Sequence, residues 1–229
     1  MRIIKLQTFH QITNLFLQKT NMTVIVVANV EQQEEIRCKN TEPAVKMIFT
    51  ENYAELSGSE DYDAIFYLDE SQKVDVNKQC NQPVVINSVL ETLKENNLPG
   101  NFSRVNGWPG FLKRQTWEVA SCDSSRASVI FEQLGWSVVF VKDEPGLVSA
   151  RVVSMIVNEA FFAFGEGVST AEEIDLALKL GTNYPYGPFE WLRKIGISNI
   201  YRLLHKLSAM DKRYSTAPLL EQKYSELKF

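Results

Sequence analysis

The sequence predicts an α/β layer followed by an all-helical module. Short β-branched and aromatic runs separated by polar stretches fill the chain up to about residue 145, and helix-period patterns with recognisable caps fill the rest. An Asp143-Glu-Pro-Gly146 turn lies between the two patterns. Met22–Val27 (MTVIVV), Val45–Phe49, Ala64–Leu68 and Pro83–Ile86 are apolar nearly throughout, as suits strands buried on both faces of a parallel sheet. Gln32–Lys39 and Val89–Asn97 have helical potential, although the connections look short for full crossover helices. Thr116–Ala120 then reads as a strand, Ser124–Leu134 as an amphipathic helix and Trp136–Val141 as another strand.

The helical module opens with Leu147–Phe164, apolar around most of its circumference, which predicts a helix buried in a core or an interface. Either a second subunit or the rest of a monomeric bundle would cover it. Thr170 and Glu173 have the spacing of a capping box. Ile174, Leu176, Ala177, Leu178 and Leu180 fill the helix that follows, and Gly181 is placed to end it. Pro188 suits the first turn of another helix, where its missing N–H costs nothing. Helices near Ser198–Met210 and Ala217–Leu227 complete the pattern, with no internal repeat or low-complexity segment.

Composition narrows the function classes. The chain has 229 residues and a formal charge of −4, with no basic stripe, which argues against nucleic acid as a partner. No apolar run approaches the roughly 18–20 residues of a membrane span. The first residues, MRIIKLQTFHQITNLFLQ, lack the continuous apolar core of a signal peptide, so a cytoplasmic location is expected. Cys38, Cys80 and Cys122 are odd in number, widely spaced and form no CxxC, which predicts reduced thiols and no structural metal site.

Val141-Lys-Asp-Glu-Pro-Gly146, Asn158-Glu-Ala160, Gly165-Glu-Gly-Val168, Ile174-Asp175, Leu180-Gly181 and Tyr184-Pro-Tyr-Gly-Pro-Phe189 occur in this order. Together they resemble the C-terminal domain of the 3-hydroxyacyl-CoA dehydrogenases, a family that joins an NAD-binding Rossmann domain to a helical, dimerising domain. The resemblance implies a trimmed, degenerate Rossmann-like parallel sheet domain over residues 1–145. A helical 6-phosphogluconate-dehydrogenase-like domain is implied over residues 146–229. It also implies a homodimer through the helical part, an acyl-CoA ligand, and NAD as cofactor by resemblance alone.

The residues themselves depart from the family's chemistry. A dinucleotide site needs glycines after the first strand, so that the backbone can approach the pyrophosphate. Here Val27-Ala-Asn-Val-Glu-Gln-Gln33 follows that strand, and no glycine occurs between Met1 and Gly58. Glu51 has the approximate spacing of a ribose-binding carboxylate, or is a solvated loop residue. The family's base is a His held by a Glu. The matching segment, Arg104–Phe111, puts Val105, Asn106 or Pro109 there, and the chain's two histidines are His10 and His205.

Glu118 matches the orienting Glu, with a solvent-facing strand carboxylate as its alternative. Ser88 matches a family Ser near the substrate, or is a helix N-cap. The family's carbonyl-polarising Asn falls on Ala150. Asn106 and Arg151 are the further polar candidates for a cleft between the two parts. Arg151 would meet an anionic group such as a CoA phosphate, or form a structural ion pair. These readings predict a 3-hydroxyacyl-CoA dehydrogenase-like protein with weak or no NAD-dependent activity. The competing expectations are an active oxidoreductase on 3-hydroxyacyl-CoA in fatty-acid metabolism, and a different reaction with Glu118 as general base.

Overall fold

The computed structural model describes residues 21–55, 61–71 and 82–227. His10 and Cys80 lie outside them. Seven strands form one sheet in the order β2-β1-β3-β4-β5-β6-β7. They are β1 Met22–Val27, β2 Val45–Thr50, β3 Ala64–Tyr67, β4 Val84–Asn87, β5 Phe102–Val105, β6 Thr116–Ser121 and β7 Ser137–Phe140. The described helices are α1 Val30–Arg37, α2 Ser124–Leu134, α3 Ser149–Gly165, α4 Ala171–Thr182, α5 Pro188–Ile195, α6 Ile197–Ser208 and α7 Pro218–Glu226. This is a Rossmann-like sheet followed by a helical C-terminal part. None of the described helices is long and apolar enough to cross a membrane.

Alternation along β1 explains its composition. Val24 and Val26 face a core built with Ile36 of α1 and Ile130, Phe131 and Leu134 of α2. Ile25 and Val27 face the opposite core, with Ile65, Tyr67 and Phe102. Both faces of a buried parallel strand are apolar, so the strand reads as a continuous hydrophobic run. On the second face the described cover comes from Tyr53 of a short 3-10 turn and from turn and loop residues such as Tyr62, Leu93 and Leu98, not from α-helices.

Three features differ from the sequence reading. The sheet is parallel from β2 through β5, but β6 runs antiparallel to β5, and β7 follows β6. Strand β5 was not foreseen, because Ser103 and Arg104 interrupt its apolar pattern. Val89–Asn97 is a series of turns, although Thr92 and Glu95 bond each other's backbone N–H groups as a capping box would, at 2.8 and 3.0 Å. Asn97 at φ 49° and Pro99 stop that turn before a helix can propagate.

The helical part follows its caps closely. Thr170 and Glu173 form the expected capping box, and Pro188 sits in the first turn of α5. The left-handed residue ending α4 is Asn183, two residues beyond Gly181. Asp175 accepts a hydrogen bond from the Phe189 N–H at 2.7 Å and pairs with Arg193 at 3.3 Å, so the two distant motifs Ile174-Asp175 and Gly187-Pro-Phe189 form one clasp. Gly187 lies so close to the Asp175 side chain that a Cβ there would collide with it. Asn158 holds a second clasp, donating to the Ser215 carbonyl at 2.9 Å and accepting from the Ala217 N–H at 2.8 Å.

Candidate functional site

The carboxyl ends of β1, β3, β4 and β5 share one edge of the sheet. Because β6 runs antiparallel, its beginning lies at that edge too. Asn106 follows β5 and Glu118 stands near the start of β6, one step beyond the Val105–Val119 pair. Both line a pocket of about 60 Å³ with Phe111, Arg114, Thr116 and Trp117, room for a few waters.

The Glu118 carboxylate accepts from the Val148 N–H at 2.6 Å and the Ser149 N–H at 3.0 Å. It therefore caps the N-terminus of α3, satisfying free donors and meeting the positive end of the helix dipole. Neither the solvent-facing alternative nor a free carboxylate describes it. Asn106 donates to Ser149 Oγ at 3.2 Å and accepts from the Trp108 N–H at 3.1 Å. The residue beside Glu118 is thus a carboxamide, which does not titrate near neutral pH. His205 is exposed on α6, stacked against Tyr201, and no imidazole lines the pocket among the described residues.

Ser88 donates its hydroxyl to the Glu91 carbonyl at 2.8 Å, and no helix follows for it to cap. Its own carbonyl accepts from Arg104 at 2.9 Å. Arg104 is fully buried, pairs with Asp143 at 2.5 Å and donates to the Glu144 carbonyl at 2.6 Å. Burial pulls its basicity down and Asp143 opposes that shift. Asp143 also accepts from the Leu93 and Lys94 N–H groups, each at 3.2 Å. Arg104 thereby ties β5 to the Ser88 turn and to the turn that leads into α3. Sequence reasoning missed it. The available signal was a charged residue inside a four-residue strand, with an Asp-Glu turn elsewhere to receive it.

Arg151 donates to the Pro145 carbonyl at 2.9 Å and pairs with Glu144 at 3.3 Å. The ion-pair alternative describes its contacts, and its guanidinium also faces the Tyr214 ring. Ala150 is fully buried and offers no polar atom beyond its backbone.

The connection of β1 to β2 on one side and its pairing with β3 on the other mark a topological switch point, the usual ligand crevice of such sheets. A cleft of about 190 Å³ lies there, lined in part by Asn29, Glu31, Gln32, Asp69, Glu70 and Asn87. Asn29 and Gln32 form a reciprocal capping box that engages N–H groups at the start of α1. The Gln32 amide donates across the crevice to the Leu68 carbonyl at 2.7 Å and to the Gly107 carbonyl at 3.3 Å. Asn87 completes the bridge, accepting from the Gly107 N–H at 2.8 Å and donating to Leu68 at 3.1 Å. Glu35 is engaged by the Gly110 and Lys113 N–H groups. Of the N–H groups at the start of α1 that a pyrophosphate would use, those of Asn29 and Gln32 are already bonded, and the carboxylates of Glu31, Asp69 and Glu70 line the cleft, where they would repel its charge. Glu51 lies exposed just past β2.

Comparison with known proteins places this geometry. The family model for the 3-hydroxyacyl-CoA dehydrogenase C-terminal domain matches residues 146–229. Residues 146–229 belong to the 3-hydroxyacyl-CoA dehydrogenase family. An Escherichia coli (strain K12) protein named 3-hydroxyadipyl-CoA dehydrogenase is 40% identical over 105 residues, covering 44% of this chain and 22% of that protein. A Bacillus subtilis (strain 168) protein named probable 3-hydroxybutyryl-CoA dehydrogenase is 38% identical over 93 residues, 40% of this chain and 32% of the relative. The match thus spans about a third or less of these curated relatives. A crystal structure of (S)-3-hydroxybutyryl-CoA dehydrogenase from Ralstonia eutropha aligns with a TM-score of 0.65 over 90% of this chain and 94% of that one. At 20% identity it establishes a shared fold.

Proposed function

We propose that this 3-hydroxyacyl-CoA dehydrogenase-like chain binds acyl-CoA and carries out little or no NAD-dependent hydride transfer. The observation that carries the reading is that Glu118 lines one pocket with Asn106, which with Val105 and Pro109 is a candidate for the position where the family resemblance asks for a His, and that none of the three is one. A base there must take the hydroxyl proton as hydride leaves, and losing such a base typically costs about 10²–10⁴ in rate. The self-bonded crevice at Gln32 supports the same reading. Titration calorimetry with NADH and with acetoacetyl-CoA tests it, together with turnover of 3-hydroxybutyryl-CoA. The expected result is acyl-CoA binding without NADH binding at millimolar cofactor. Enzyme-like turnover would overturn it and restore the second reading, an active oxidoreductase of fatty-acid metabolism, which the relatives' names favour.

A cytoplasmic homodimer through the helical part belongs to this proposal. Val152, Phe164, Leu176 and Leu180 expose apolar surface on α3 and α4, and an apolar groove of about 750 Å³ runs between the end of α3 and the start of α7. Sedimentation equilibrium should return twice the chain's mass of 26.1 kDa.

A further inference from the structure

We propose that Lys39 is a site of covalent acylation by acyl thioesters. Lys39 follows α1 by two residues, and its side chain turns inward over the start of β6. Lys179, Lys206 and Lys223 each pair with a carboxylate. The Lys39 ammonium instead donates to the Arg114 carbonyl at 2.6 Å and lies against two indoles, 5.2 Å from the Trp117 ring centre and 4.9 Å from that of Trp136. Both indole N–H groups are engaged elsewhere, with the Leu112 carbonyl and with Thr41 Oγ1, so the rings present their apolar faces. The indole faces attract the cation, but the water they displace was worth more to it.

Burial causes the resulting shift, which brings the Lys39 amine down to about 8. Near neutral pH the free amine is then about 10²-fold more abundant at Lys39 than on an ordinary lysine. A desolvated lysine of this kind is an activated nucleophile. Trp117 and Arg114, two of its three neighbours, also line the pocket that holds Asn106 and Glu118. The chemistry balances without a further reagent. The neutral Nζ attacks the thioester carbonyl, a C–N bond forms as the C–S bond breaks, and the nitrogen's proton leaves with the thiolate. The products are an amide and a free thiol. The indoles then face an acyl group in place of a buried cation, a gain in the apolar site.

The choice of acyl-CoA as the natural electrophile rests on the function proposed above, so two probes are used. The full chain is incubated with acetyl-CoA and, separately, with the acetyl thioester of N-acetylcysteamine. Occupancy is followed by peptide mass spectrometry at Lys39 and at the exposed Lys46 and Lys142. At neutral pH, Lys39 should label at least about ten-fold faster than the exposed lysines, a conservative share of its excess of free amine. Its rate should level off above about pH 8, while theirs keeps rising to pH 10. In denaturing urea the lead should vanish. A lead with the small thioester alone would support the Lys39 site and remove acyl-CoA binding from the proposed function. Equal or slower labelling of Lys39 with both probes would overturn the site.

Discussion

At the carboxyl edge of the sheet, polar side chains close upon the protein itself, whereas in the helical part they fasten one helix to another along the family's own motif. Gln32, Asn87 and Glu35 each bond backbone groups of neighbouring loops, and Glu118 holds the first turn of α3. In the helical part, Asp175 and Asn158 make equally direct clasps, yet they do so at positions that carry the resemblance. A structural clasp at a motif position preserves the fold signature. At the carboxyl edge the same kind of bond holds loops together around the cleft. The same physical device therefore marks the motif in one region and closes the sheet's edge in the other.

Tests at four sites sharpen this contrast. The largest effect belongs to Arg104, whose buried guanidinium ties β5 to the Ser88 turn and to the turn that leads into α3. Arg104→Ala leaves Asp143 and the Ser88 and Glu144 carbonyls without their partner and should cost about 3–5 kcal/mol in urea unfolding. A loss below about 1 kcal/mol would show that water replaces the guanidinium and that the turn leading into α3 is held without it.

Asp175→Ala removes the α4–α5 clasp and should cost about 1–3 kcal/mol, with Asp175→Asn recovering part of it through the Phe189 N–H. Thermal unfolding followed by circular dichroism measures both. Glu118→Gln should cost about 1 kcal/mol through a weaker cap on α3. Binding of acetoacetyl-CoA should stay within about two-fold, because the carboxylate is already engaged. A large loss of binding or of any turnover would move Glu118 from scaffold to chemistry and erase the contrast between the regions.

The smallest effect is a pH dependence. The Thr92 N–H and the Lys206 ammonium hold the Glu95 carboxyl down at about 2. Its contribution is complete above the ordinary carboxylate pKa of 4.5 and fades as pH falls from there towards 2. Glu95 is largely exposed, so solvent screening limits the effect to about 0.5 kcal/mol. Melting temperatures of the native chain and of Glu95→Gln should differ slightly at pH 6 and converge near pH 2.

The sequence by itself determined the two-part architecture, the positions of most strands and the starts of the helices at Thr170 and Pro188. Hydrophobic alternation, Thr170–Glu173 and Pro188 act over a few residues, and local sterics and hydrogen bonds dictate them. It also determined which residue types face the site, including the glycine-free segment after β1 and the absence of His from Arg104–Phe111. Only the tertiary structure decided what those residues do. The reversal of β6 pairs residues about 14 to 18 positions apart, and the burial of Arg104 against Asp143 and the bond from Glu118 to α3 join residues some thirty to forty positions apart. Such pairings are chosen by the need to satisfy every buried donor, acceptor and charge at once, a requirement of the packed whole that no local spacing records.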